Sequence, residues 1–395
     1  MSVCVAFTAK VLRRLAWALA LATPMTHALE ITISAQYRGG VSGRFENTTP
    51  PSGLCRRYPF TCGWAETSVL PITFAKTLRE DTSDVRDGFY LRAPGKRQVD
   101  VYHQETGEAR QVSFFWELIH IVGMNNGAFV NNPLDSRPSG GCRPQYLRNI
   151  SYGVEAYWRL TDPTAPSPCW AVSAEPLPGT RLEVPEMGAG FRLEIPPAYR
   201  LTSGIYHGST VFTIGPGGDF DFGSNVENLS GNTLTVNFEL DVQHDFHLEF
   251  PPGSERAVLE PRNGWQAWQA GGRSPQRLYR DLPFRIWSTG PFKVYKLCEH
   301  YMGDRCGIRN AASHSVPVDV ALSLPGGIQH QTNGVQRVSL PSGRAQALNF
   351  ESVQPTVNRP GQLHFEVARD DVQGMLSHTG STYHGQVTVV FDAEL

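Results

Sequence analysis

The chain has 395 residues, of which 40% are hydrophobic and 18% charged, with a formal net charge of −2. That length exceeds one compact core and suits two domains. The apolar content excludes a disordered chain, and the lack of a basic excess argues against a nucleic-acid surface.

Residues 1–28 read as a secretory signal. Lys10, Arg13 and Arg14 precede a short apolar run from Leu15 to Thr23, and Thr26 and Ala28 are small residues suited to cleavage after Ala28. The competing reading is a membrane anchor, which the short run and the lack of a following basic stop signal disfavour. Removing the segment takes three basic residues and no acidic ones, moving the net charge from −2 to −5. Export predicts disulfides. Cys4 leaves with the signal, and six cysteines remain as Cys55/Cys62, Cys142/Cys169 and Cys298/Cys306. Near-neighbour pairing is one of the fifteen connectivities that six cysteines allow, and the wide separation of the groups favours it. Metal ligation is the rival, but no spacing is C-x-x-C and an oxidising compartment favours disulfides. No metal or cofactor is expected.

Strand signals then dominate. Leu29 to Ser34 alternates apolar and polar residues, as do Thr233–Val242, Val316–Leu324 and Val387–Phe391. Phe114–Val122 is apolar throughout and fits either a buried strand or a buried helix. Gly (38) and Pro (29) supply many turns. Residues 173–198 hold five prolines without sustained alternation, and regular strands resume after Ser203-Gly204. The expectation is an all-β chain of two β-sandwich domains, 29–203 and 204–395.

The first half is irregular and rich in loops, which is where binding usually resides. Asn125, Asn126, Asn132 and Asp135, with Tyr146 and Trp158, combine amide, carboxylate and aromatic groups in the manner of a sugar pocket. Asn-Gly and Asn-Pro are also turn formers, and that reading outweighs a ligand site; Trp158 and Trp170 are more simply core residues packed on a disulfide. Arg56, Arg57, Arg143 and Arg148 are too sparse for a strong anionic-glycan patch. Asp219 and Asp221, near Glu227, suggest paired carboxylates, but alternation with Phe220 and Phe222 fits a solvent-facing strand better. The chain lacks H-E-x-x-H, a P-loop and a Gly-x-Ser-x-Gly elbow. No catalytic residues and no enzymatic activity are expected.

The last strand is the strongest feature. Tyr383-His-Gly-Gln-Val-Thr-Val-Val-Phe-Asp-Ala ends the chain on an apolar strand, with Val387, Val389 and Phe391 on one face. Such an edge needs a partner. This terminus resembles those of chaperone–usher pilus subunits. Gly204–Ser209, Gly217–Gly223 and Leu234–Pro251 are similar to the start of the pilin domain in two-domain fimbrial adhesins, and Leu282-Pro-Phe, Phe292–Cys298, Cys306-Gly-Ile and Val316–Pro325 to its later strands.

The resemblance implies a C-terminal immunoglobulin-like pilin domain lacking its last strand. A periplasmic chaperone lends that strand on the way to an outer-membrane usher, and the next fimbrial subunit then replaces it. Val387, Val389 and Phe391 would line the groove, and the Leu395 carboxylate would anchor the chaperone. The N-terminal domain would bind a host glycan or protein, with the chain exported through the periplasm to the fimbrial tip at the cell surface. The alternatives are a non-adhesive structural or assembly-initiating subunit, or a secreted carbohydrate-active sandwich. The chain departs from the family pattern in its late Cys298/Cys306 pair, and Leu29–Ile33 reads as the first adhesin strand instead of a free donor arm.

Overall fold

The computed structural model describes residues 29–393 apart from 41, 58–65, 80, 82, 126–131, 136 and 173–177. The signal-like segment, Cys62, Asn126 and Leu395 lie outside the described residues.

The main strands of the first half are β1 (Leu29–Arg38), β2 (Phe74–Arg79), β3 (Arg97–His103), β4 (Ala109–Asn125), β5 (Cys142–Ile150), β6 (Gly153–Leu160), β7 (Pro178–Glu194), β8 (Gly204–Thr213) and β9 (Thr233–Gln243). They hydrogen-bond in the order β2–β7–β4–β3–β8–β9–β1, with β6 added to β4 and β5 to β6. Strand β1 runs parallel to β9 along its whole length, from Leu29 opposite Leu234 to Arg38 opposite Gln243.

Phe114–Val122 is strand, inside β4. Its lack of alternation has two causes. Both faces are covered: Phe114, Trp116, Ile119 and Ile121 enter the core, while Lys96 and Arg192 lie over the Phe115 ring. A register shift also falls where Gly190 pairs with Leu118 and Phe191 with Trp116. The extra residue, Glu117, reverses which parity points inward.

The second half contains β10 (Phe246–Glu249), β11 (Leu278–Ser288), β12 (Phe292–Cys298), β13 (Arg305–Arg309), β14 (Ser315–Ser323), β15 (Leu348–Ser352), β16 (Thr356–Val367), α1 (Arg369–Leu376) and β17 (Val387–Asp392). One sheet runs β10–β11–β16–β14–β13 and the other includes β15–β12–β17. Between them lies a second core containing Phe284, Ile286, Val294, Val320, Leu322, Phe350 and Val367. Helix α1 contributes buried Val372 and carries Asp370 and Asp371 in its first turn, where the helix dipole favours them.

The two cores divide at the His244–Asp245 link, not at 203/204. Tyr206, Phe212, Leu234, Val236, Phe238, Leu240 and Val242 are all in the first core, and Phe246 is the first residue packed on the second. The break at Ser203-Gly204 is a connection within the first sandwich. Alternating strands look alike in both domains, so their return marked no boundary. The similarity of Gly204–His244 to the start of a pilin domain is likewise not followed by the fold.

Cys142 pairs with Cys169 and Cys298 with Cys306, at Cα separations of 5.4 and 5.1 Å. Cys55 is also disulfide-bonded; its expected partner Cys62 is outside the described residues.

Candidate functional site

Strand β17 is the last in its sheet and, among the described residues, pairs only with β12. The register places Val387 opposite Cys298, Val389 opposite Lys296 and Phe391 opposite Val294. Glu299 N–H donates to the Gln386 carbonyl at 2.9 Å, which fixes the antiparallel alternation. Thr388, Val390 and Asp392 turn their backbone groups to β12. Val387, Val389 and Phe391 turn theirs to the open edge, and Lys296 bonds away from β17, to Pro341 and Gly343. The side chains of Val387, Val389 and Phe391 pack on the second core but stay half-exposed.

The opposite wall is β10, which ends the other sheet and, among the described residues, pairs only with β11. Phe246 and Leu248 point inward and are half-buried, whereas His247 and Glu249 are exposed. The Phe391 ring lies 6.3 Å from Phe246, 5.8 Å from Phe284 and 6.4 Å from Phe292. Two free edges therefore flank one side of the sandwich over apolar side chains that are only partly covered. An added strand would take up three N–H and three C=O groups of β17, each bond worth about 1 kcal/mol. Sequence alternation gave the inward face of β17. It missed the β10 wall and Phe284, because a two-sheet mouth is set by which distant strands end each sheet.

The receptor candidates that the structure describes are divided between a loop, the core and the surface. Asn125 and Asn132 are buried. Asn132 Nδ2 donates to the Gly123 carbonyl at 3.0 Å and to Asn125 Oδ1 at 3.1 Å, and its Oδ1 accepts the Leu134 N–H at 3.0 Å. These bonds pin the loop, in keeping with the turn reading. Trp158 is 1% exposed and meets Phe89 edge-on at 5.3 Å, so it is core. Tyr146 is half-buried on β5, with its ring 6.4 Å from Tyr157. Asp135 ends the short helical turn Pro133–Asp135.

A polar cluster lies nearby. Buried Glu155 accepts from Arg57 at 2.8 Å and stands 3.0 Å from His120 Nε2; Arg57 also grips Glu186 at 2.9 and 3.0 Å. Burial pushes Glu155 up, yet the bonds from His120 and Arg57 win and hold it below the usual carboxylate value. Sequence reading saw Arg57 only as a sparse surface charge.

The carboxylates near residue 220 are ion-paired. Asp221 is 1% exposed and Arg86 binds both its oxygens, at 2.9 and 3.0 Å, which corrects the solvent-facing assignment. Asp219 pairs with Arg97 at 2.6 Å. In the second domain Ser323 Oγ, His364 and Asp281 line up at 2.8 and 2.7 Å, in the order of a serine hydrolase relay. Ser323 Oγ already accepts the Arg337 N–H at 2.9 Å, and Arg337 Nη1 lies 3.2 Å from His364 Nδ1. The array clasps neighbouring strands together, with its imidazole 4% exposed. Among the described residues no cluster of three or more His, Cys, Asp or Glu is arranged for a metal, and no helix is long and apolar enough to cross a membrane.

No family model matches the chain, nor does any curated protein. Solved structures with similar arrangement include the chaperone–tip adhesin complex of CFA/I fimbriae, at 9% identity over 93% of this chain and 96% of that one, with a TM-score of 0.27. A mutant of the CFA/I enterotoxigenic E. coli adhesin CfaE matches at 8% identity over 92% of each chain, with a TM-score of 0.25. The third is the CsuC–CsuE chaperone–tip adhesion subunit pre-assembly complex from archaic chaperone–usher Csu pili of Acinetobacter baumannii. It matches at 11% identity over 93% of this chain and 99% of that one, with a TM-score of 0.22.

Proposed function

We propose that the chain is a chaperone–usher tip adhesin whose C-terminal sandwich is completed by a strand from a partner. The observation that carries this reading is the paired free edges of β10 and β17 over half-exposed Phe246, Leu248, Val387, Val389 and Phe391. A periplasmic chaperone would fill the gap during export and an outer-membrane usher would receive the complex. The N-terminal extension of the next fimbrial subunit would then take the place of the chaperone strand. The reaction is exchange of backbone hydrogen bonds, with alternate side chains setting register.

Two further points support a tip position and an adhesive role. Strand β1 is committed to β9 along ten residue pairs, so it is not a free donor arm. The N-terminal domain has its own core and loops, with Tyr146 at its surface, and would carry recognition of a host glycan or protein.

The test is recovery of soluble residues 29–395 from the periplasm, with and without a cognate chaperone or a donor strand fused to the C-terminus. Dependence on the added strand supports the reading. Full solubility and cooperative unfolding without it would overturn the reading and favour a self-complete secreted sandwich.

A further inference from the structure

The two cores meet at a small polar joint. From the first come Tyr37 at the end of β1 and the Leu201 carbonyl, after the helical turn Ala198–Arg200. From the second come Thr289 and Gly290, between β11 and β12, and Pro355, whose ring lies 3.3 Å from where a Gly43 Cβ would sit. His244, on the link itself, is 9% exposed.

Its ring is held from both sides. Nε2 lies 2.7 Å from the Leu201 carbonyl, which only accepts, so Nε2 carries the hydrogen. Nδ1 is then an acceptor, 3.4 Å from Thr289 Oγ1. Thr289 Oγ1 accepts the Asp245 N–H at 2.9 Å, leaving its own hydrogen free to point at Nδ1. Tyr37 meets the imidazole edge-on at 5.5 Å. Gly290 packs so closely that a Cβ there would fall 2.3 Å from the ring.

The closed joint leaves one polar atom poorly paired. Tyr37 Oη is buried and turned toward Thr289, with no well-formed hydrogen bond among the described residues. A buried hydroxyl of this kind opposes closure.

We propose that His244 is an acid-released latch between the two domains: neutral, it ties Leu201 to Thr289, and protonated, it lets the joint open and admit water. The imidazolium would place a full charge in a joint where the ring is 9% exposed and its direct hydrogen-bond partners, Leu201 and Thr289, are uncharged. The titratable groups facing it are Tyr37 from β1 and Asp245 on the link; Leu201, Thr289 and Gly290 bring no charge. Burial is the largest influence on the His244 pKa and lowers it, against the Leu201 carbonyl, the Asp245 charge and the Thr289 backbone, which raise it. The open state therefore takes the proton more readily, and closure weakens as pH falls below about 6.5. The inference rests on the joint alone and is independent of what the β10–β17 mouth holds.

The test is a distance distribution between spin labels in the full chain at Glu105→Cys and Arg262→Cys, both exposed positions in different domains. Between about pH 7.5 and about pH 5 the distribution should broaden and lengthen. His244→Gln, whose amide can still donate toward Leu201, should stay compact at both. An unmodified chain with one unchanged distribution down to about pH 4 would overturn the latch without any need for the variant. So would a His244→Gln chain that opens as the parent does.

Discussion

The Phe246 and Phe391 rings approach to 6.3 Å although they belong to the end strands of two different sheets. Side chains thus bridge the mouth of the second sandwich where no backbone pairing does. Phe391 also reaches Phe284 on β11, so the last strand is tied to both sheets through its inward face while its outer edge stays open. A domain built this way has a core that folds and an edge that invites pairing, which is the physical basis of strand addition.

Proline placed along β17 should separate these two properties. The Val389 N–H faces the open edge, and the Val390 N–H faces Tyr295 of β12. Val389→Pro removes only an outward donor, the position where a strand tolerates proline. It should leave folding of a donor-fused chain within about 1 kcal/mol of the parent yet weaken chaperone capture. Val390→Pro breaks the internal ladder and should lower stability by a further 1–3 kcal/mol or so. Thermal melts of the fused chain and chaperone co-purification read the two effects. Equal loss of capture and stability in both variants would contradict the assigned alternation.

Truncation tests the division of the cores. A fragment of residues 29–243 keeps β8 and β9 and should unfold cooperatively. A fragment of residues 29–203 loses Leu234, Val236, Phe238, Leu240 and Val242, each 0–1% exposed. Each large apolar side chain lost from a core costs roughly 2–5 kcal/mol, more in sum than a domain's net stability. It should be recovered only as aggregate. Cooperative folding of the shorter fragment would return the boundary to 203/204.

Much of this architecture was legible where local pattern dominates. Alternation in Thr233–Val242 and Val387–Phe391 gave strands with the expected faces, and cysteine spacing gave two of the pairs. Misreadings came from relations that no local pattern carries. The bulge at Glu117 reverses parity inside β4, the burial of Asp221 depends on Arg86 far away in sequence, and β10 becomes a wall only because its sheet ends there. Trp158 and Asn132 have the residue types of a sugar site, yet the fold spends them on the core and on a loop pin.

The Arg57–Glu155–His120 cluster makes an acid limb. Glu155 titrates below its ordinary value, so its contribution to stability is present above about pH 4.5 and is lost as pH falls through the lower, folded value. Arg57→Ala should destabilise the 29–243 fragment by about 1–3 kcal/mol at neutral pH, a range discounted because the arginine side chain is 41% exposed. Glu155→Gln should cost less and flatten the acid limb. Urea unfolding across the acid range checks both, and an unchanged limb in Glu155→Gln would rule this carboxylate out.

Lys76 adds a slope of the same sign at higher pH. It is 0% exposed, its ammonium donating at 2.7 Å to the carbonyls of Arg86 and Phe222. Burial first, and the charge of Arg86 second, lower its pKa to about 7. Below that value the lysine is charged in both folded and unfolded chains, and the folded state bears the full desolvation cost. Between about 7 and its ordinary value the unfolded chain holds the proton and the folded chain does not, so stability rises with pH, by up to about 1.4 kcal/mol per unit. Lys76→Met should remove this rise, while leaving the two carbonyls without a donor and so lowering stability at the alkaline end. Denaturant melts of the 29–243 fragment from neutral to alkaline pH measure the slope. A parent fragment with a flat profile there would mean that Lys76 keeps its proton in the folded domain.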